Sequence, residues 1–171
     1  KLDSGTVEFE KSKYKLDELV QNAIKNLEIP LEVKNIQVET NFEKVNENNK
    51  KEINNEVATE IIGDYRWTLE AVTNIIKNCI EHSKEHTKLY IQIRVTHVYT
   101  ELIIKDEGEG IDEKDLKHIF ERFYKGKNSS ENSFGIGLAL SKTILEKQNA
   151  SISCSSTLHK GTTFKIYFYE R

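Results

Sequence analysis

Between Asp64 and Ser83 the chain carries a helical pattern with only one face to bury, and this constrains the fold more than any other feature. Asp64 is a good N-cap, because its carboxylate can accept from the free N–H groups of a first turn. At about 100° per residue, Leu69, Val72, Ile76 and Cys79 gather on one side. Glu70, Asn74, Asn78 and Glu81 gather on the other, within roughly 40° of Asn74. Such a helix must lay its apolar side on another layer. Its outer side then presents a line of amide and carboxylate oxygens, donors that suit Mg²⁺ sharing its remaining positions with water and phosphate. A plain solvated face would show the same stripe, so the stripe alone decides nothing.

The layer beneath the helix is a sheet. Leu89–Val98, Glu101–Lys105, Ser151–Ser155 and Thr162–Tyr169 read as strands. Val33–Phe42 and Val57–Ile62 read as two more, joined by the polar segment KVNENNKKEINNE. Leu16, Leu19, Val20, Ala23, Ile24 and Leu27 predict a helix ending before Pro30, and Gly137–Lys147 predicts another. Residues 1–13 read as a linker with a short strand around Val7–Phe9. The order βαββαββαββ predicts an α+β fold, a two-layer α/β sandwich with about three helices on one face of a mixed sheet.

Composition narrows the partners. A length of 171 residues suits one domain, and 37% hydrophobic with 31% charged residues is ordinary for a globular chain. A net charge of -3 gives no reason to expect nucleic acid or an anionic membrane surface. Cys79 and Cys154 lack metal-ligand spacing and read as buried thiols in a reducing compartment. No apolar run approaches the ~18 residues that span a bilayer. The chain opens at Lys1 and has no Met, so a piece of a longer protein is expected.

Opposite the asparagine stripe stand the glycine segments. DEGEGI, Asp106–Ile111, follows a strand; glycine there lets the backbone approach a ligand, and Asp106 can accept an exocyclic amine such as that of adenine. SFGIGLAL, Ser133–Leu140, opens a helix whose free N–H groups could cradle phosphate. GTTF, Gly161–Phe164, enters the last strand. Each could equally be a tight turn or a loop-to-helix junction. The stretch between Asp106 and Phe134 is too long for an ordinary connection, and it holds one short helix near Glu113–Ile119. GxxxxGK[ST], a strand-following GxGxxG and the HRD and DFG triplets of protein kinases are all absent.

Taken in order, Asn74-Ile-Ile-Lys-Asn78, DEGEGI, FERFYK at Phe120–Lys125, GIGLAL and GTTF resemble the N, G1, F, G2 and G3 boxes of sensor histidine kinases. With IIGDYRW ahead of the asparagines, the resemblance covers roughly residues 5–169. That family is similar in turn to the gyrase, Hsp90 and mismatch-repair ATPases. The resemblance implies that Asn78 binds Mg²⁺ and Asn74 helps hold the metal–phosphate unit. It implies that Asp106 accepts the adenine amine of ATP, with Gly108, Gly110 and Ile111 shaping the pocket and Thr162 supporting Asp106 through water. Gly135, Ile136, Gly137 and Leu138 would meet the phosphates. Residues 112–134 would form a mobile ATP lid in which Arg122, Tyr124 and Lys125 approach the nucleotide. The domain itself would be residues 14–171.

Three positions depart from the family pattern. Glu81 stands where family members often carry Lys, which shifts phosphate contact toward Arg122, Lys125 or Lys127. His82 stands at a commonly aromatic position, where it could still stack on adenine. Asn149-Ala150 replaces a usual Gly pair. The ATPase relatives carry a water-activating Glu four residues before the metal-binding Asn; here that position is Asn74, an amide without useful basicity. Transfer to a protein group is therefore expected over hydrolysis. None of His82, His86, His97, His118 and His159 is followed by Asp or Glu, unlike a phosphoacceptor histidine. The partners implied are the protein's own dimerisation and phosphoacceptor domain, beyond this chain, and a cognate response regulator. The domain would lie in the cytoplasm, without membrane contact of its own, in a parent that is a membrane sensor. A serine kinase of the anti-sigma type and a degenerate binding module are the other readings the boxes allow.

Overall fold

Alternation at a period of two decides the sheet. In β5 (Lys88–Val95) the side chains of Leu89, Ile91, Ile93 and Val95 are buried, while Tyr90, Gln92 and Arg94 face the opposite way and are half-buried. The last strand repeats the pattern with Thr162, Phe164, Ile166 and Phe168 inside. The computed structural model describes residues 8–45, 48, 51–52, 59–124 and 137–169, and the structural account concerns these.

In chain order the elements are β1 (Ser12–Lys15), α1 (Leu16–Asn26), α2 (Glu28–Val33), β2 (Gln37–Val45), β3 (Lys51–Glu52), β4 (Glu60–Gly63), α3 (Tyr65–His82), β5, β6 (Thr100–Asp106), α4 (Glu113–Leu116), α5 (Gly137–Glu146), β7 (Ala150–Thr157) and β8 (Gly161–Phe168). The main sheet has the order β3-β2-β5-β6-β8-β7. Only β2 and β5 pair in parallel; β2–β3, β5–β6, β6–β8 and β7–β8 are antiparallel, so the sheet is mixed. The fold is the expected α+β sandwich. Leu19 and Val20 of α1, Val72, Ile75 and Ile76 of α3, and Ile144 and Leu145 of α5 share one core with the inner face of the sheet. Burying such a side chain stabilises the domain by roughly 1.5–3 kcal/mol.

Several boundaries differ from the sequence reading. The first helix stops at Asn26, and a separate helix, α2, then contains Pro30. Proline is tolerated there because it lies in the first turn, whose N–H groups have no intrahelical acceptor. Of the strand expected at Val7–Phe9, Val7 lies outside the described residues and residues 8–9 hold no strand; the first strand is Ser12–Lys15, which pairs antiparallel with β4 in a separate two-stranded sheet. Residues 12 and 13 belong to that strand. Phe9 meets the edge of Trp67 at 6.3 Å between ring centroids, and the Glu10 N–H donates to Asp64 at 2.8 Å. Asp64 is the N-cap of α3, accepting from the Trp67 N–H at 3.0 Å.

Buried Gln148 ties the end of α5 to the start of α3. Its side-chain oxygen accepts from the Asp64 N–H at 2.6 Å, and its amide nitrogen donates to Thr68 Oγ1 at 3.2 Å and to the Ile144 carbonyl at 3.3 Å. The asparagine stripe of α3 is thereby held at a fixed angle to the first turn of α5.

Candidate functional site

Asp106 ends β6 and is buried. A carboxylate in such a place must find donors or lose its charge. Its Oδ1 accepts the Gly108 N–H at 2.9 Å and the Thr162 N–H at 3.0 Å. Burial pushes the Asp106 carboxyl above the usual carboxylate value; the two backbone donors, the Cys79 thiol and nearby His82 pull it back only in part. Cys79 lies wholly buried under the same carboxylate, and burial with the Asp106 charge holds its thiol well above the ordinary value. Wholly buried, the Cys79 thiol is a packing group of the core.

Close backbone approach explains the glycines around Asp106. A Cβ on Gly108 would lie 2.3 Å from the His82 carbonyl oxygen. Gly161 has φ +118, and a Cβ there would lie 2.2 Å from the Asp106 carbonyl oxygen. Gly110 sits against the Thr157 carbonyl. The main-chain N–H of Thr162 makes the direct contact with Asp106, and its hydroxyl meets Ser156 Oγ at 2.8 Å. Ser156 is the residue sequence reasoning missed. It accepts the Ile111 N–H at 2.7 Å and donates to the Gly161 carbonyl at 2.9 Å, joining the DEGEGI turn to the β7–β8 hairpin. A serine among the run Ser151, Ser153, Ser155, Ser156 carries no signal that could have singled it out.

Asn74 and Asn78 are half-buried on the outer face of α3, with Glu70 and Glu81 exposed beside them. Gly137, the first residue of α5, faces Asn74: a Cβ on it would come within 3.9 Å of Asn74 Cβ. The buried Ser141 hydroxyl lies between the two helices, 2.8 Å from the Gly137 carbonyl and 3.0 Å from the Ala71 carbonyl. Leu138 is half-buried against the core. Among the described residues no three His, Cys, Asp or Glu side chains gather as a metal site. The amide oxygens of Asn78 and Asn74 are thus the donors to weigh for a divalent cation. They fit Mg²⁺, which is commonly held by few protein oxygens and completed by water and phosphate.

Residues 112–124 fold back on themselves. Asp112 caps α4 by accepting the Lys114 N–H at 3.0 Å, His118 pairs with Glu121 at 2.7 Å, and the Tyr124 hydroxyl donates to Asp115. Phe120 packs edge-on against Phe164 at 6.4 Å, with the Lys142 ammonium 5.4 Å over its ring. Arg122 is exposed and Tyr124 half-buried. Lys125, Lys127, Gly135 and Ile136 lie outside the described residues. A separate open cleft of about 500 Å³ between α1 and α2, lined by Asn22, Ile24, Leu31 and Ile36, shares no residue with this site. Among the described residues no helix is long and apolar enough to cross a membrane.

Residues 63–171 match the family of histidine kinase-, DNA gyrase B-, and HSP90-like ATPases, and the chain belongs to that family. Sensor histidine kinase YvrG of Bacillus subtilis is 28% identical over 183 residues, covering 97% of this chain and 31% of that protein. Signal transduction histidine-protein kinase ArlS of Staphylococcus aureus is 35% identical over 96 residues, covering 54% of this chain and 21% of its own length. This chain therefore spans less than a third of either relative. The fold matches the nucleotide-free catalytic domain of histidine kinase ThkA with a TM-score of 0.77 at 18% identity, over 96% of this chain and 97% of that one.

Proposed function

We propose that this domain binds Mg–ATP and passes the γ-phosphoryl group to a histidine on a dimerisation and phosphoacceptor domain outside this chain, from which a response regulator takes it. The observation that carries the reading is the meeting of Asn74 with Gly137, since it puts an amide where the face of α3 meets the start of α5. Unlike a carboxylate, an amide cannot take a proton from water, so the site favours transfer over hydrolysis. Asp106 accepts the adenine amine, with His82, Gly108, Gly110 and Ile111 around the base and Thr162 holding Asp106. The N–H groups of Gly137 and Leu138 at the start of α5 take the phosphates, as helix starts do, together with Gly135 and Ile136, which lie outside the described residues. Asn78, helped by Asn74, holds Mg²⁺, which when bound neutralises charge on the phosphate oxygens.

Residues 112–134 act as a lid over the nucleotide and bring Arg122, Tyr124 and Lys125 to it. Phosphoryl transfer asks mainly for positioning and charge neutralisation, which such a site supplies without covalent help. An acceptor imidazole nitrogen attacks the γ-phosphorus, the bond to the β–γ bridging oxygen breaks, and ADP leaves. The imidazole proton passes to an acidic neighbour on the acceptor domain. The parent is read as a membrane sensor with this domain on the cytoplasmic side.

Radiolabelled ATP tests the reading. With this chain alone, neither label on the protein nor rapid phosphate release is expected. With the parent's acceptor domain added, label should appear on that domain. Labelling of this chain by itself, or fast release without an acceptor, would overturn the proposal.

A further inference from the structure

The last four carbonyls of a helix have no intrahelical donor, and at the end of α3 a local cap at Ser83 and long-range contacts supply them. Here each has a partner. The Cys79 carbonyl accepts the Ser83 hydroxyl at 2.7 Å, and the His82 carbonyl accepts the Glu109 N–H at 3.2 Å. The Ile80 and Glu81 carbonyls accept the ammonium of Lys34 at 2.8 and 2.9 Å, and Lys34 also donates to the Ser83 carbonyl at 2.9 Å. An ammonium has three donors and no acceptor, so this site uses all of them. Its charge also opposes the negative end of the helix dipole.

The segment bearing Lys34 is itself clasped to the turn after α3. The Lys34 carbonyl accepts the His86 N–H at 3.0 Å, the Asn35 side chain bonds His86 at 2.8 Å, and the Gln37 N–H donates to the Thr87 carbonyl at 3.1 Å. The carbonyl left to the nucleotide loop is that of His82, which meets Glu109 N–H and against which Gly108 packs without room for a Cβ. Gly108 in turn donates to Asp106.

We infer that Lys34, 72 positions before Asp106 in sequence, is a positioning residue of the base pocket: it holds the last turn of α3 so that the His82 carbonyl can fix the Glu109 and Gly108 amides around Asp106. The inference rests on the proposal that Asp106 receives adenine. Removing the ammonium takes the Lys34 donor from the Glu81 carbonyl and leaves the Ile80 carbonyl to the Ser83 N–H at 3.2 Å, and the turn is expected to fray at its weakest outside contact, the 3.2 Å bond to Glu109.

The test uses the whole chain with Lys34→Met, Lys34→Gln as a milder loss of charge, Lys34→Arg as the conservative variant, and Lys25→Met as a surface control. Three quantities are read: affinity for Mg–ADP, thermal midpoint, and amide hydrogen exchange at Glu109 and at Ile91 in the middle of the sheet. K34M should weaken ADP binding about fivefold and speed Glu109 exchange about tenfold while Ile91 keeps its rate, with K34Q in between. K34R should recover most of both losses, and K25M should change neither. Unchanged ADP affinity in K34M and K34Q, or exchange that quickens equally at Ile91, would overturn the role of Lys34. A wild-type chain that binds no ADP would instead overturn the nucleotide reading, and Glu109 exchange would still report whether Lys34 holds the turn.

Discussion

The two ends of the site are built differently. At the end proposed to take the base one carboxylate, Asp106, is buried and held by main-chain N–H groups from Gly108 and Thr162, with glycines admitting backbone on either side. At the end proposed to take the phosphates the groups are half-buried or exposed side chains, Asn74, Asn78, Arg122 and Tyr124, standing on α3 and on residues 112–124. A main-chain cradle makes recognition a property of the fold, so damage there costs stability and binding together. Side chains on a solvated face, such as exposed Glu81, can be changed with little effect on the fold.

The largest effect is expected from Gly161→Ala. The residue has φ +118, which L side chains rarely adopt, and its Cβ would collide with the Asp106 carbonyl at 2.2 Å. The variant should lose about 3 kcal/mol of stability in a denaturant titration and bind no nucleotide. A stable Gly161→Ala that still binds would show that the base end is less rigid than this comparison holds.

Asp106→Asn separates binding from folding within the base end. Oδ1 already receives two N–H donors, so an asparagine must keep its oxygen there and turn its NH₂ where Oδ2 was. A donor then faces the adenine amine, and ATP affinity should fall about ten- to a hundredfold while inosine triphosphate, with an oxygen at that position, loses much less. Equal losses for both nucleotides would contradict the assignment. The same carboxyl gives a pH signature. Its folded-state pKa is raised above the ordinary 3.8, so the ionised form costs stability at neutral pH, and that cost is relieved as pH falls through the raised value. Adenosine binding moves the other way, weakening as pH falls and Asp106 takes a proton, which happens at a pH above the ordinary 3.8. Adenosine carries no phosphate to titrate, and Asp106→Asn should abolish the effect.

How far the sequence reads also follows the difference between the two ends. The asparagine stripe of α3 was legible because Val72, Ile76 and Cys79 mark its buried face at helical spacing. β5 and β8 were legible from strict alternation. What stayed hidden are partners set by tertiary geometry. Gln148 bonds Thr68 across 80 positions, Lys34 bonds Ile80 across 46, and neither pair leaves a local pattern. α2 was hidden for another reason: Pro30 reads as a stop, yet in a first turn it is tolerated. Of the candidate site, Asp106 and the glycines announced themselves by type and order, whereas Ser156 is one serine among several and matters only because β7 brings it to Ile111.

The smallest effect, and the sharpest probe of the phosphate end, is Glu81→Lys. Glu81 is exposed in the last turn of α3, and only its carbonyl is tied to Lys34. The substitution removes a carboxylate from the negative end of the helix dipole and adds an ammonium, which should stabilise the chain by about 0.3–1 kcal/mol. If Glu81 stands where phosphate passes, the same change should tighten ATP more than ADP and leave adenosine untouched. An exposed charge acts weakly through water, so the gain for ATP is expected at about two- to threefold at low salt, vanishing as ionic strength rises. Calorimetric titration of the three ligands at low and high salt distinguishes the sources. A gain that adenosine shares would mean that the lysine acts by firming the last turn of α3 against Glu109 and Gly108, not by meeting phosphate. Such a result would move Glu81 from the phosphate end of the site to the base end.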